Sequence, residues 1–166
     1  MQELKVVRPQ VDVRLTVNGK VHDLPIEPRQ TLAEVLRGAL SLTGTKVSCD
    51  SQVCGSCTVL VDGLTVSSCT YLAVDANGRE VRTVEGLADP ESGELTVLQQ
   101  SFIDHAAFQC GFCTPGFLIT ATALLEENPR PTREEVIQGL EGNICRCTGY
   151  EQIINAVMAA SERAAS

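Results

Sequence analysis

The sequence predicts an α+β protein in which a β-rich half is followed by an all-helical half. Apolar residues alternate with polar ones early in the chain and recur every three to four positions late in it, so a strand period gives way to a helix period. Residues 86–93, a polar stretch with Gly and Pro, lie between the two patterns. Each half also contains four cysteines. We therefore expect two small domains, 11–86 and 87–166, after an N-terminal extension at 1–10 to which we assign no role.

The first half has the element order of a β-grasp domain, namely hairpin, helix, loop and hairpin. Alternating apolar residues surround an Asn-Gly dipeptide at 18–19 and an Asp-Gly dipeptide at 62–63, and both dipeptides favour tight hairpin turns. Thr31 and Glu34 form a capping box that starts the helix. The predicted elements are a hairpin around 18–19, a helix over 32–40, a hairpin with strands 58–61 and 64–67, and a further strand over 81–84.

The second half predicts a bundle of four helices. Thr-Pro at 114–115 supplies an N-cap followed by proline at the first helical position. Thr132 with Glu135, and Thr148 with Glu151, are two further capping boxes. The predicted helices run from Thr96 to about Phe108, from Thr114 to Glu127, over 133–140 and over 149–163.

Charge and apolar patterning exclude several classes of function. The net charge of −8 argues against binding phosphate, and with no Trp and only two Tyr the chain has no stacking platform for bases. No apolar run is long enough to cross a bilayer, and residues 1–10 lack the features of a secretory signal. We therefore expect a cytoplasmic protein whose thiols stay reduced.

The eight cysteines form two quartets of different spacing. The first has C-x4-C-x2-C and a fourth Cys after eleven more residues, which is the spacing of a plant-type [2Fe–2S] ferredoxin loop. The second has C-x2-C, a gap of thirty-one residues and C-x-C. No cysteine is left over, and two iron–sulfur clusters in one small chain indicate a relay for single electrons. The first quartet is Cys49, Cys54, Cys57 and Cys69, and the second is Cys110, Cys113, Cys145 and Cys147.

Local chemistry explains where these cysteines lie. Gly55 can adopt the positive φ that turns backbone N–H groups towards sulfur, and such hydrogen bonds raise a reduction potential. Cys113 and Cys147 each directly precede a predicted helix, whose free N–H groups and dipole favour thiolates. We expect two facing helix starts to bury the second site more deeply than the first, whose loop leaves one edge open to a partner.

Other interpretations of the cysteines stay open at this point. Four thiolates also suit structural zinc, although C-x4-C-x2-C and C-x-C are unusual zinc spacings. A disulfide framework fits poorly with a cytoplasmic chain. His105 is close to Cys110 in sequence, but since both quartets are complete we interpret it and His22 as ordinary surface or half-buried residues. From composition alone, Asp50 and Gln52 are solvated loop residues and Gln109 is a polar residue at a helix end.

Three stretches carry a more specific signal: TGTKVSCDSQVCGSCTVLVDG at 43–63, QCGFCTPGFL at 109–118 and GNICRCTGYEQIINAV at 142–157. Together they resemble the iron–sulfur (small) subunit of the xanthine dehydrogenase family of molybdenum hydroxylases. The resemblance covers about 13–160 and implies an N-terminal β-grasp [2Fe–2S] ferredoxin-like domain followed by a C-terminal four-helix [2Fe–2S]-binding domain. Similar small subunits serve carbon monoxide, nicotine, quinoline and hydroxybenzoyl-CoA type enzymes, so this chain does not determine the substrate.

The resemblance also implies roles for individual residues. The first quartet holds the outer cluster, which faces the flavin, and the second holds the inner cluster, which lies next to the molybdopterin. Gln109 hydrogen-bonds the pterin and the sulfur of Cys147 approaches the pterin amino group, which replaces the helix-end interpretation of Gln109. Ser48 and Ser56 stand where the family usually has Gly and Ala, and each adds a hydroxyl near sulfur without threatening ligation.

The function that the resemblance implies is electron transfer within a larger enzyme, because the chain is not catalytic alone. Electrons leave molybdopterin, as the cytosine dinucleotide, on a large subunit and pass through two [2Fe–2S] clusters to FAD on a medium subunit. A separate small chain implies a dimer of heterotrimers. A stand-alone two-cluster carrier and the small subunit of a cytochrome-linked two-subunit dehydrogenase remain as alternatives, and Asp50 favours the FAD-linked form.

Overall fold

A computed structural model describes residues 9–164, so residues 1–8 of the N-terminal extension and residues 165–166 lie outside the described part. Five strands form one sheet in the order β2-β1-β5-β3-β4. The strands are β1 (Val11–Val17), β2 (Lys20–Ile26), β3 (Thr58–Val61), β4 (Leu64–Ser67) and β5 (Glu80–Arg82). The helices are α1 (Leu32–Glu34), α2 (Val97–Asp104), α3 (Thr114–Glu127), α4 (Arg133–Gly139) and α5 (Glu151–Ala164).

Both predicted hairpins are confirmed. The turn residues at 18–19 have φ of 50° and 76°, and those at 62–63 have φ of 49° and 81°, so each dipeptide supplies the two positive φ angles of a tight hairpin. β5 joins the hairpins by pairing parallel to β1 and antiparallel to β3. The strand predicted over 81–84 ends at Arg82, because a 3-10 turn begins at Val84.

The helix after the first hairpin is less regular than predicted. Thr31 and Glu34 form the expected capping box. After this first turn, however, Val35–Ala39 form a π-helical turn in place of the continuous α-helix predicted over 32–40. Gly38 within that turn lowers the local α-helix propensity.

The molecule has two hydrophobic cores. The first lies between the sheet and the helix that follows β2, and its buried members are Val13, Leu15, Val17, Ile26, Leu32, Val35, Leu36, Val59, Val61, Ala73, Ala76 and Val81. The second lies among α2, α3, α4 and α5, and its buried members are Leu98, Phe102, Ala107, Phe117, Leu118, Ala121, Val136, Leu140, Cys145, Ile153, Ala156, Val157 and Ala160.

Helix α3 joins the two cores. All four residues of β3 are buried, whereas a strand with one solvated face alternates between buried and exposed residues. Val59 and Val61 belong to the first core, and α3 packs against the same strand. Arg82 on β5 also donates a hydrogen bond of 2.6 Å to Glu126 near the end of α3. The helical half is therefore fixed directly to the sheet.

The four predicted helices of the second half are present, and α3 spans Thr114–Glu127, but its N-cap is Cys113 and not the predicted Thr114, which makes no side-chain capping bond. α2 ends at Asp104 instead of about Phe108, because Ala106 has a φ of 47° and leaves the helical region. No helix among residues 9–164 is long and apolar enough to span a membrane.

Candidate metal centres

The first quartet lies between α1 and β3, with its fourth member just after β4. Burial raises the pKa of Cys57 to about 11, and the thiol of the buried Cys69 lies within hydrogen-bonding distance of it. Cys54 is half-buried and Cys49 is exposed. The quartet therefore has a buried pair of sulfurs and one exposed edge, as the sequence predicts for a loop near the surface.

The loop of this quartet turns hydrogen-bond donors towards sulfur. The side chain and backbone N–H of Ser51, together with other backbone N–H groups, lower the pKa of Cys49 to about 6. The backbone nitrogens of Val53 and Cys54 each lie 3.4 Å from the Cys49 Sγ. Gly55 has the predicted positive φ, at 68°. These donors favour the thiolate, which is the form of cysteine that binds metal.

Two polar side chains of this loop have specific contacts. Gln52, expected to be merely solvated, accepts a hydrogen bond of 3.2 Å from the hydroxyl of Thr70, so it ties the loop to the segment that carries Cys69. Gln52 is nonetheless exposed to solvent, as predicted. Ser56 is buried, and its Oγ lies 3.5 Å from the Sγ of Cys54, which places a hydroxyl near sulfur as predicted.

The second quartet combines a pair of cysteines before α3 with a pair before α5. The sulfurs of Cys110 and Cys147 lie 3.6 Å apart. The thiols of Cys113 and Cys145 are in hydrogen-bonding contact. The fold thus brings together cysteines that the sequence separates by thirty-one residues.

Burial and hydrogen bonding act in opposite directions on two of these thiols. Burial raises the pKa of Cys113 to about 12. Burial also acts to raise the pKa of Cys145, but the hydroxyl and the backbone N–H of Thr148 lower it below its ordinary value. The Thr148 Oγ1 and N lie 3.1 and 3.4 Å from the Cys145 Sγ. The hydroxyl of Tyr150 accepts a hydrogen bond of 3.2 Å from the backbone N–H of Cys145.

The start of α5 corrects two predictions. The helix begins at Glu151 and not at 149, because Gly149 and Tyr150 have φ of 68° and 72°. Thr148 therefore lies outside the helix, and its hydroxyl contacts sulfur instead of capping α5. Cys147 likewise does not directly precede a helix, whereas Cys113 directly precedes α3 as predicted.

The predicted deeper burial of the second quartet is also wrong for this chain. Cys110 and Cys147 are exposed, Cys113 is half-buried and Cys145 is buried. The delayed start of α5 leaves the loop that carries Cys147 at the surface. The quartet is therefore open on one side.

The residues next to Cys110 are also exposed. Phe108 is 41% exposed and Phe112 is 44% exposed, although both are aromatic. The Nε2 of Gln109 donates a hydrogen bond of 3.1 Å to the carbonyl of Cys147. Gln109 and Cys147, the two residues expected to contact a pterin, thus lie next to each other at one surface.

His105 is not directed to this quartet. Its ring Nδ1 lies 2.9 Å from the carbonyl of Ser101 in α2, and the side chain is half-buried. This arrangement agrees with its interpretation as an ordinary half-buried residue.

The two quartets are connected by direct contacts between their loops. The backbone N–H of Ile144 donates to the carbonyl of Cys54 at 2.9 Å. The side-chain amide of Asn143 donates to the carbonyl of Gly55 at 3.0 Å. Asn143 and Ile144 occupy the two positions before Cys145 in sequence, and both acceptors belong to the loop of the first quartet.

The arrangement of donors fits binuclear iron–sulfur sites better than zinc. Zinc needs four donors at one point, whereas four thiolates of a [2Fe–2S] site are shared between two irons. The sulfurs instead associate in pairs, which are Cys57 with Cys69, Cys110 with Cys147 and Cys113 with Cys145.

A buried hydroxyl beside the second quartet also supports the fit of an iron–sulfur cluster to this site. The Oγ1 of Thr114, which directly follows Cys113, has no hydrogen-bond partner within the described residues. Leaving a buried hydroxyl unsatisfied costs about 1–3 kcal/mol. A sulfur acceptor in a cluster bound by the neighbouring cysteines would relieve this cost.

Comparison with known proteins relates each half of the chain to a family of [2Fe-2S] domains. Residues 15–88 match the model of the 2Fe-2S iron-sulfur cluster binding domain, and residues 83–158 match that of the [2Fe-2S] binding domain. The chain is 52% identical over 149 residues to the nicotine 6-hydroxylase small subunit of Paenarthrobacter nicotinovorans, covering 90% of this chain and 88% of that one. It is 44% identical over 151 residues to the xanthine dehydrogenase iron-sulfur-binding subunit of Escherichia coli O157:H7, covering 89% and 92%. The chain belongs to the iron–sulfur subunits of the xanthine dehydrogenase family.

A solved structure confirms the fold of this iron–sulfur subunit. A chain of quinoline 2-oxidoreductase from Pseudomonas putida 86 matches with a TM-score of 0.89 and 50% identity, over 94% of this chain and 96% of that one. The predicted α+β fold, a ferredoxin-like domain followed by a helical [2Fe–2S]-binding domain, is confirmed. The predicted role as the electron-transfer subunit of a molybdenum hydroxylase is confirmed as well. The relatives are small subunits of multi-subunit complexes, and the family implies molybdopterin and FAD in the complete enzyme.

Several residues around the sulfurs of this subunit were missed by sequence reasoning. Asn143, Thr148 and Tyr150 all lie in the stretch GNICRCTGY, in which the cysteines were predicted to bind metal and Thr148 only to cap a helix. The ring of Tyr150 packs edge-on against Phe117, with ring centroids 6.4 Å apart. No local period or motif distinguishes such residues from ordinary loop residues. Two glycines, at 142 and 149, were the available signal that the backbone here is irregular.

Proposed function

We propose that the chain relays single electrons from molybdopterin on a large partner subunit to FAD on a medium partner subunit. The observation that carries this proposal is that two cysteine quartets with contacting loops each have an exposed member, Cys49 in the first and Cys147 in the second. A relay needs one accessible edge for entry, one for exit and a short connection between them. The contacts of 2.9 and 3.0 Å between the two loops supply the connection.

The eight cysteines are the proposed cluster ligands. When bound, two [2Fe–2S] clusters supply one-electron carriers. The residues of the chain hold them through thiolates and direct hydrogen bonds to sulfur, from the backbone of Val53 in the first site and from Thr148 in the second. The proposed outer ligands are Cys49, Cys54, Cys57 and Cys69, and the proposed inner ligands are Cys110, Cys113, Cys145 and Cys147.

Gln109 and Cys147 are the proposed contacts to the pterin, which we expect as the cytosine dinucleotide. Their 3.1 Å hydrogen bond places both at the exposed side of the second quartet. The exposed Phe108 and Phe112 lie beside them, and adjacent exposed aromatic side chains are typical of a surface that a partner covers. These exposed residues support the proposal that the large subunit binds at this surface.

The proposed assembly is a cytoplasmic dimer of heterotrimers. Eight free thiols suit a reducing compartment. The family's small subunits form part of multi-subunit enzymes, and a stand-alone carrier would leave the exposed aromatic residues of the helical half without a purpose. A cytochrome-linked two-subunit form would use a cytochrome as electron acceptor in place of FAD on a medium subunit.

Elemental and cofactor analysis of the complex, purified from its host by a tag on this chain, tests the proposal. We expect about four irons per chain, two for each cluster, together with molybdenum and flavin. Iron without molybdenum would show a stand-alone carrier. Haem in place of flavin would show the cytochrome-linked form. Zinc in place of iron would overturn the electron-transfer assignment.

A further inference from the structure

We infer that Asn143 is a positioning residue that fixes the two cluster-binding loops relative to each other. Its side chain is 4% exposed, and its Nδ2 donates a hydrogen bond of 3.0 Å to the carbonyl of Gly55. Gly55 lies between Cys54 and Cys57, whereas Asn143 lies two positions before Cys145. One side chain therefore joins the ligand segment of one quartet to that of the other. This inference rests on the proposed assignment of the cysteines as cluster ligands.

The carbonyl oxygen of Gly55 is held from both domains. It accepts hydrogen bonds from the backbone N–H of Thr58 at 3.1 Å and from the hydroxyl of Thr58 at 2.7 Å. Of its three donors, Asn143 is the one that comes from the helical domain. Removing the Thr58 hydroxyl changes only how the first loop is held, whereas removing the Asn143 amide changes how the two loops are held together.

A second hydrogen bond makes the contact a two-point clamp. The backbone N–H of Ile144 donates to the carbonyl of Cys54 at 2.9 Å, one residue along from the Asn143 bond on both sides. Two consecutive donors on one loop thus meet two consecutive acceptors on the other. A single bond allows rotation about itself, but two adjacent bonds fix the relative orientation of the loops.

Two glycines beside this clamp have no room for a side chain. A Cβ built at Gly116, in the first turn of α3, would overlap the carbonyl oxygen of Gly55. A Cβ at Gly55 would overlap the carbonyl oxygen of Gly142 and lie 2.6 Å from the Asn143 Nδ2. Close-packed contacts of this kind transmit displacements, because no void absorbs them. Asn143 therefore lies where the two ligand segments are in direct contact, and loss of its hydrogen bond to Gly55 removes one of the two bonds that fix their separation.

The test compares the magnetic interaction between the two reduced clusters in Asn143 variants of the complete complex. Dithionite reduces both clusters, and electron paramagnetic resonance then records the dipolar splitting, which falls with the third power of their separation. We expect the Asn143→Ala variant to retain its full iron content but to show a reduced or absent dipolar splitting. Asn143→Asp keeps the shape of the side chain but has no N–H donor, so we expect the same direction of change if the alanine variant is unstable.

Two control variants separate positioning from general stability. Asn155→Ala removes an amide that accepts a hydrogen bond of 2.8 Å from Arg133 elsewhere in the helical domain, and Thr58→Val removes the hydroxyl donor to Gly55 from within the first domain. Both are expected to keep the wild-type splitting. A wild-type splitting in both Asn143 variants at full iron content would overturn the inference. Absence of iron from the wild-type chain would instead overturn the proposed function.

Discussion

The two quartets assemble four thiolates by different means. In the first, three cysteines come from one loop of nine residues, 49–57, whose own backbone N–H groups turn towards Cys49. In the second, two pairs come from loops separated by α3 and α4, and both the hydroxyl and the backbone N–H of Thr148 contact the Cys145 Sγ. The first site is therefore built mostly by local sequence and the second by tertiary packing. A local site withstands loosening of the domain core better than an assembled one.

Removal of one ligand from each quartet gives the largest expected effect. Cys147→Ala and Cys54→Ala each lower the iron content from about four to about two per chain, because a cluster needs all four thiolates. Cys147→Ala is expected to remove the inner-cluster signal and interrupt the relay while molybdenum still loads. Cys54→Ala is expected to remove the outer-cluster signal alone. Metal analysis and electron paramagnetic resonance of the tagged complex measure both. Loss of both signals in either variant would contradict separate sites.

Truncation of a core residue separates the assembled site from the local one. Phe102 is 1% exposed in the second core and Leu15 is fully buried in the first. Phe102→Ala is expected to cost about 3–5 kcal/mol of unfolding free energy and Leu15→Ala about 2–5 kcal/mol. Since the proposed inner ligands come from separate loops, we expect Phe102→Ala to release the inner cluster at a lower temperature than the outer. Thermal release of each cluster, followed by its paramagnetic signal, measures this difference.

The Leu15→Ala variant is the matched comparison. Its cavity lies beneath the sheet, and we expect a smaller separation between the release temperatures of the two clusters because three outer ligands share one loop. An inner cluster that outlasts the outer one in Phe102→Ala would contradict the distinction between local and assembled sites.

The same distinction explains what could be predicted from the sequence. Both hairpins follow from local turn dipeptides, and α3 follows from Thr114-Pro115, so these elements are confirmed with their predicted bounds or nearly so. The π-helical turn at 35–39 and the late start of α5 were missed. A capping box is a local pattern, and Thr148 satisfies that pattern while its hydroxyl serves a sulfur across the loop.

The prediction that the second quartet is more deeply buried than the first failed for a related reason. Exposure depends on how the loops meet, which period and spacing do not encode. The ligand assignment of the eight cysteines and the pterin contacts of Gln109 and Cys147 came from motifs, and they stay predictions until the metal analysis is made. The family assignment, by contrast, followed from three stretches that together cover little more than a quarter of the chain.

Removal of the Thr148 hydroxyl tests whether side-chain donors tune the assembled site. Hydrogen bonds to sulfur stabilise the reduced cluster, which carries more negative charge. Thr148→Val keeps the shape and removes the contact of 3.1 Å to the Cys145 Sγ. We expect the inner reduction potential to fall by roughly 60 mV, the equivalent of about 1.4 kcal/mol for one electron. Redox titration measures it. Thr122→Val, which removes a hydroxyl bonded to the carbonyl of Leu118 in α3, is the control and should leave the potential unchanged.

The smallest expected effect concerns the link between the first loop and the segment that carries Cys69, the proposed fourth ligand. Gln52 has a φ of 64° and accepts from the Thr70 hydroxyl at 3.2 Å, so Gln52→Gly keeps the backbone conformation and removes the link. An exposed hydrogen bond contributes about 0.5–1 kcal/mol, so we expect the outer cluster to be lost to a chelator about two- to fivefold faster. The inner cluster should be lost at the wild-type rate, because Gln52 contacts only the first loop's own domain. Bleaching kinetics with an iron chelator, resolved by the paramagnetic signal of each cluster, measure both rates. Equal acceleration of both losses would mean that the clamp at Asn143 couples the sites so tightly that the local loop has no independent stability.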